Sequence, residues 1–212
     1  MYKLHFFIVL FLSTFLVTAQ KDSGLSFGVQ GGLQLNSAIL PDIKINDNLS
    51  NVLEGEDVVK GVPQWADLTL NYKFGGFVKY DHGFGFGLFE INYTTAKIKK
   101  DIKFTTNDFW GNDELTLATL ERDFTYLDFS LSYNINLSEK LFFGLGVTPS
   151  ILLSNTGDEN PVTNDLRVFT GFGYRISEKT SIATRVELGI SEVYEGSYIH
   201  HLMIPVVLRI SL

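Results

Sequence analysis

Hydrophobic and polar residues alternate along most of the chain, which is the pattern of a β-strand with one apolar face. Between residues 125 and 137, for example, every second residue is large and apolar, while Asp, Ser and Asn occur among the residues between. Such segments are near or above the roughly 9–11 residues that a tilted strand needs to cross a bilayer. The pattern predicts eight strands, at residues 26–36, 68–80, 83–95, 125–137, 141–148, 166–176, 182–190 and 202–212.

The third predicted strand is less regular, because apolar residues occur on both of its faces. Phe86 and Leu88 share a face with Glu90, while Phe89 and Ile91 lie on the other. Either a β-bulge that shifts the alternation or an aromatic lining of the interior accounts for this pattern. The sequence leaves both explanations open.

The connections between the predicted strands alternate in length. Those after the second, fourth and sixth strands are tight, at residues 81–83, 138–139 and 177–178. Those after the first, third and fifth are longer, at 36–66, 97–122 and 154–164, and only the connection after the seventh, at 194–197, is short. Outer-membrane barrels place short turns in the periplasm and longer loops outside. The chain is therefore expected to form an all-β, eight-stranded antiparallel up-and-down transmembrane β-barrel with both mature termini in the periplasm.

The charged residues indicate which face points inward. They share a face with many glycines, while the opposite face is a belt of Leu, Ile, Val, Phe and Tyr. A Lys or Arg facing lipid at the midplane costs roughly 2–4 kcal/mol, so the charges should fill the narrow interior. A soluble barrel is the alternative, but the wide apolar face would overfill its lumen. We expect a side-chain-filled lumen without an open pore, with a charge network of Lys73, Asp128, Arg167, Arg175, Arg185, Glu187 and Arg209.

The first 19 residues have the features of a secretory signal peptide. Lys3 precedes an apolar run at residues 6–12, and the small residues Thr18 and Ala19 provide a cleavage site. Cleavage after Ala19 would leave residues 20–212 as the barrel domain. No later window approaches the roughly 18 apolar residues of a membrane helix. Without cysteine, the chain has neither disulfides nor a lipoprotein attachment site.

Several classes of function are disfavoured by the sequence. A net charge of −7 opposes nucleic-acid binding, which favours a basic face. Ser, His and Asp are present, and Gly24-Leu25-Ser26-Phe27-Gly28 matches G-x-S-x-G in its letters. This match lies at the start of a predicted strand and not at a strand-to-helix turn, so no nucleophile elbow brings the three residue types together. His200 and His201 are adjacent, so in a strand they point to opposite faces and do not ligate one metal. We therefore predict no enzymatic activity, no cofactor and no metal.

Two features near the outer end of the third strand suggest contacts outside the barrel. Lys97, Lys99, Lys100 and Lys103 cluster there, and our hypothesis is that they contact lipopolysaccharide phosphates. A solvated loop face is the alternative. Apolar residues on both sides of the turn at 107–113 also allow the third and fourth strands to extend outward as a hairpin, whose edge could pair with a partner strand. A long loop is the other interpretation.

Short motifs over essentially the mature length resemble the PorT-like outer-membrane β-barrel family. They are the signal peptide ending in Ala19-Gln20, Phe27-Gly28-Val29-Gln30-Gly31-Gly32-Leu33, Phe74-Gly75-Gly76-Phe77 before a tight turn, Asp123-Phe124-Thr125-Tyr126-Leu127, Gly171-Phe172-Gly173-Tyr174-Arg175-Ile176 and the closing strand at 204–212. Two departures are Asp128-Phe129, where a proline is common, and Leu212 in place of a terminal aromatic residue. The resemblance implies an outer-membrane barrel; some members of the family assist protein secretion, and most have no assigned activity.

The sequence thus predicts a monomeric barrel with a structural or interaction role at the Gram-negative cell envelope. Its expected partners are outer-membrane lipid, lipopolysaccharide and, through extracellular loops, envelope or secretion proteins. Three alternatives stay open: an accessory component of an outer-membrane protein secretion system, a lipid-modifying outer-membrane enzyme, and a soluble ligand-binding barrel.

Overall fold

The computed structural model describes residues 24–40, 64–108, 111–156, 161–193 and 199–212. The predicted signal peptide and the connection at 194–197 lie outside these residues. In the described part of the chain, no helix is both long and apolar enough to cross a membrane. The strands are β1 (Gly24–Leu40), β2 (Gln64–Trp65), β3 (Thr69–Asp81), β4 (Gly85–Asp108), β5 (Gly111–Asn136), β6 (Leu141–Asn155), β7 (Asn164–Arg175), β8 (Thr180–Gly189) and β9 (His200–Ser211).

Eight of these strands form a closed wall. From β3 onward, each strand pairs antiparallel with the next one in the chain, and β1 pairs with both β3 and β9. The closing ladder between β1 and β9 runs from Gly28 opposite Ser211 to Ile39 opposite His200. The two-residue β2 pairs only with the end of β1. Closure pairs the backbone groups that an open sheet edge would expose to hydrocarbon. The prediction of an eight-stranded antiparallel up-and-down barrel is confirmed.

One end of the barrel carries three tight turns, at residues 82–84, 137–140 and 176–179. Gly83 has a φ of +94°, a conformation that favours glycine. Gly24 at the start of β1 is opposite Asp81 at the end of β3. The backbone N–H of Leu212, just after β9, donates to the carbonyl of Phe27. The first and last described residues of the chain therefore both lie at this short-turn end.

At the opposite end, β4 and β5 continue beyond their neighbours as a two-stranded hairpin. Their pairing extends to Asp108 opposite Gly111, with one register shift between Ile102 and Lys103. On the β3 side, the last paired residue of β4 is Lys99, which bridges to Asp67. At ~3.4 Å per residue, the nine residues beyond Lys99 extend the hairpin by about 30 Å. Residues 97–122 were interpreted either as an extended hairpin or as a long loop, and in the structure they form the extended hairpin.

The outer surface of the barrel is the apolar belt. The exposed fractions of Leu131, Val168 and Leu208 are 45%, 38% and 42%, so these side chains face away from the lumen. Along β7 and the residue that follows it, the exposed strip runs from Leu166 to Ile176. Ten residues at ~3.4 Å, tilted by about 40°, span roughly 26 Å along the membrane normal, close to the ~25 Å apolar band of outer-membrane barrels.

Five phenylalanine rings are buried in the lumen, on the face where the sequence predicted charged residues and glycines. They are Phe77, Phe86, Phe124, Phe142 and Phe169. Phe86 shares the inner face of β4 with Leu88 and Glu90, and β3 pairs with β4 in continuous register. The irregular third strand is thus an aromatic lining and not a bulge. Glycines leave space for three of the other rings: a Cβ on Gly28, Gly146 or Gly173 would collide with the ring of Phe77, Phe169 or Phe142, respectively.

Candidate functional site

The most distinctive group of side chains lies in the middle of the lumen, where charges are collected in one layer. Four cationic and four anionic residues contribute, so their formal charges balance. All eight are at most 7% exposed. Gln30 from β1 and Ser150 from β6 join them through hydrogen bonds, so every barrel strand reaches this layer. The charged members are Lys73, Glu90, Asp128, Asp165, Arg167, Arg185, Glu187 and Arg209.

Asp128 on β5 accepts hydrogen bonds from residues of four other strands. Its Oδ2 accepts from Lys73 Nζ at 3.1 Å and from Thr94 Oγ1 at 2.6 Å. Its Oδ1 accepts from Ser150 Oγ at 2.8 Å and from the guanidinium of Arg167. Charge-assisted hydrogen bonds are about twice as strong as neutral ones. This carboxylate therefore ties β3, β4, β6 and β7 to β5.

Two glutamates extend the network across the barrel. Glu187 Oε1 accepts from Lys73 Nζ at 3.1 Å and from Arg185 Nε at 2.7 Å, and its Oε2 accepts from Arg167 at 3.2 Å. Glu90 bridges Arg185 at 2.5 Å and Arg209 at 2.7 Å. The ion pairs thus connect strands on different sides of the lumen and brace the wall from inside.

Apolar layers lie on both sides of the charged layer. Toward the hairpin, a buried cluster includes Ile98, Phe124, Tyr126 and Met203. Toward the short turns, a second cluster contains Phe77, Phe86, Leu88, Phe142, Ala183 and Val207. The cavities near this second cluster measure about 20 and 30 Å³, room for a water molecule or two and no more. Side chains therefore fill the lumen.

Six of the seven residues predicted for the lumen charge network lie within it, namely Lys73, Asp128, Arg167, Arg185, Glu187 and Arg209. Arg175, the seventh, lies at the end of β7 outside the charged layer, against the rings of Phe86 and Phe142. Parity along the strand gives the inward direction of this side chain but not its height in the barrel.

Glu90 and Asp165 are network members that the sequence did not reveal. The inward direction of Glu90 was not evident from the sequence, because the large apolar residues Phe86 and Leu88 share its face of the strand. Asp165 lies at the start of β7, two residues before Arg167, and its Oδ2 is 3.2 Å from Arg167 Nε. The alternation along the strand could have identified both, because each lies two residues from a side chain that points inward and therefore points inward itself.

Of the four lysines near the outer end of β4, Lys97 and Lys100 do not share one surface. Lys97 pairs with Glu121 and lies 3.7 Å from Asp123, two acidic residues of the adjacent strand. The hydrogen bond to Glu121 raises the pKa of Lys97. Lys100 donates to the backbone carbonyl of Trp65 at 3.1 Å, and the side chain of Lys103 lies outside the described residues. A lipopolysaccharide phosphate would therefore compete with carboxylates at Lys97.

The two adjacent histidines point in different directions. His201 is buried in the lumen, where its Nε2 lies 3.0 Å from the hydroxyl of Tyr126. His200 is half-buried, with its Nδ1 3.2 Å from the carbonyl of Ser191. Among the described residues, no group of three or more His, Cys, Asp or Glu is placed to hold a metal ion. His201 is thus a core residue of the lumen.

A closed wall, an apolar exterior and a charged interior together define a transmembrane β-barrel of the outer-membrane type. No protein-family model matches the chain, and no curated protein matches it. Among solved structures, Neisserial surface protein A aligns with a TM-score of 0.53 at 14% identity, over 89% of this chain and 99% of that chain. That likeness supports the fold alone.

Two crystal structures of Ail, the attachment invasion locus protein of Yersinia pestis, also align over 89% of this chain and 99% of theirs. The one in complex with the heparin analogue sucrose octasulfate has a TM-score of 0.40 at 8% identity. The other has a TM-score of 0.39 at 11% identity.

Proposed function

We propose that this chain is an outer-membrane protein that acts as a structural or interaction barrel of the Gram-negative envelope, and neither as a pore nor as an enzyme. The observation that carries the proposal is the balanced charged layer held between two apolar layers. A solute would have to displace buried ion pairs such as Lys73–Asp128 and Arg185–Glu90 to pass. Within this layer each carboxylate lies next to a cation, so none is available as a free base or nucleophile.

The proposed orientation places the short-turn end in the periplasm and the β4–β5 hairpin outside the cell. It follows from the rule that outer-membrane barrels have short periplasmic turns and longer extracellular segments. Export would use residues 1–19 as a cleaved signal peptide. In this orientation the hairpin, about 30 Å beyond Lys99 at the usual rise per residue, is the element that a protein partner would meet first.

A second candidate function is an accessory role in outer-membrane protein secretion. The resemblance to the PorT-like family favours it, together with the backbone edges of the hairpin, which could accept a partner strand. Lipopolysaccharide contact through Lys97 and Lys99 would be compatible with either function. Co-purification with a larger envelope complex would favour the secretion role.

The test combines location, closure and conductance. The full-length protein is expressed, membranes are fractionated, and the barrel is run on gels with and without heating. We expect it in the outer-membrane fraction with a heat-dependent shift in mobility, and no conductance steps in a planar bilayer. Recovery in the soluble periplasmic fraction without detergent, or stable ion conductance, would contradict the proposal.

A further inference from the structure

The mouth of the barrel at the short turns gathers cations around aromatic rings. Lys79 Nζ and the guanidinium carbon of Arg175 each lie 5.6 Å from the centroid of the Phe86 ring. Arg175 also lies 5.7 Å from the centroid of Phe142. Ring faces attract cations, so these contacts hold two positive groups at one place outside the balanced network.

Arg175 lacks a negatively charged partner among the described residues. Its guanidinium donates to Asn136 Oδ1 at 2.5 Å and to the backbone carbonyl of Glu139 at 2.9 Å, both neutral acceptors. In the charged layer, by contrast, every arginine is paired with at least one carboxylate. The charge of Arg175 is thus held in position by neutral groups and rings and stays uncompensated.

A cavity of about 30 Å³ lies beside this arginine and reaches the exposed turn at residues 176–179. Its lining includes four cations, Lys79, Arg175, Lys179 and Arg209, and one carboxylate, that of Glu178. Lys79 is 3.5 Å from Asp81, and Arg209 is paired with Glu90. Arg175 and Lys179 therefore face a single carboxylate. The lining also has four residues with hydroxyl groups and four apolar residues: Ser177, Thr180, Ser181 and Ser211, and Phe77, Phe86, Leu88 and Phe142.

A phosphate group is larger than the enclosed space, which holds a water molecule or two. We infer that the open side of this cavity, over the exposed turn at residues 176–179, is a binding site for a phosphate group. Guanidinium and ammonium groups with nearby hydroxyls match the several acceptor oxygens of a phosphate, and arginine binds it through paired N–H donors. The rings of Phe86 and Phe142 fix the guanidinium in advance, which reduces the entropy lost on binding. Free phosphate and the phosphate of a phospholipid headgroup have this chemistry in common, and the experiment distinguishes them.

The experiment uses the whole barrel refolded in non-ionic maltoside micelles at low ionic strength. Inorganic phosphate is titrated by calorimetry, with sodium chloride as the reference salt. Arg175→Gln should weaken phosphate binding by about tenfold or more, because it removes a charge-assisted donor. Lys179→Gln, a change on an exposed turn, should weaken it by about threefold. The matched control is Lys140→Gln, an exposed cation of the neighbouring turn that does not line the cavity, and it should bind as the parent does.

A micelle-soluble phosphatidylglycerol then identifies the source of the phosphate. If the lipid displaces inorganic phosphate, the site holds a headgroup; if it does not, the site holds the free ion. Heat-shifted mobility on gels checks that each variant is folded, and Lys179→Gln keeps the test open should Arg175→Gln fail to fold. Absence of phosphate binding by the parent beyond that of chloride, or equal affinity of the parent and both cavity variants, would overturn the inference.

Discussion

Asp128→Asn removes a negative charge from the centre of the barrel while keeping the shape of the side chain. The charged layer would then hold four cations and three anions, with Lys73 and Arg167 each losing an ion pair. Removing one member of a buried ion pair costs about 3–5 kcal/mol, because its partner stays buried with less compensation. Glu187 still contacts both Lys73 and Arg167. We therefore expect a loss near the lower end, about 3 kcal/mol.

The assay is reversible urea unfolding of the refolded barrel in lipid vesicles. With an m-value of about 1–3 kcal/mol/M, the midpoint should fall by about 1–3 M. Asp123→Asn is the matched control, since the same change on the same strand removes an exposed carboxylate 3.7 Å from Lys97 and should cost less than ~1 kcal/mol. Adding Lys73→Met to Asp128→Asn restores the charge balance and should recover part of the loss. Equal midpoints for the Asp128 and Asp123 variants would refute the reasoning.

Three further predictions follow from the lipid face, the glycine packing and the hairpin. Leu145, which is 53% exposed, lies on the outer face. Leu145→Arg should lower the free energy of unfolding in vesicles by about 2–4 kcal/mol, because it places a charge in lipid; an unchanged unfolding midpoint would contradict a lipid-facing position. Gly173→Ala should destabilise the barrel because its Cβ would meet the Phe142 ring, and Phe142→Leu in the same chain should relieve the clash; the unfolding midpoints of the single and double variants measure this. Replacing residues 103–116 with Asn-Gly should leave the heat-dependent gel mobility unchanged, because the strands of the barrel wall pair with one another without these residues. The same change should abolish capture of an envelope partner. Loss of the heat shift would show that the hairpin is needed for folding.

Strand parity made the barrel predictable. A side chain in a strand points to the face opposite its neighbour's, so charges at Arg167, Arg185 and Arg209 determined the inner face of three strands at once. The same rule placed Leu131 and Val168 outside, as their exposure shows. Parity does not give height along the barrel axis, and so Arg175 was assigned to a network that it does not reach.

The ion-pair partners across the lumen could not be predicted from the sequence, for a geometric reason. Which residues meet depends on strand tilt and on the stagger between strands, and neither is encoded in the alternation of a single strand. The contact of Lys73 on β3 with Glu187 on β8 is an example. The β4–β5 hairpin was ambiguous for a different reason, because outside the membrane no buried face enforces a regular alternation of apolar and polar residues.

The central claim is that apolar side chains face lipid while charged groups fill the interior. It is tested most directly by magnetisation transfer between lipid acyl chains and methyl groups of the native protein in lipid nanodiscs. Nuclear Overhauser effects are expected from acyl chains to Leu131 and Leu208, and not to Ala183, Met203 or Val207, which are buried in the lumen. Strong lipid contacts at the second group with none at the first would contradict the account.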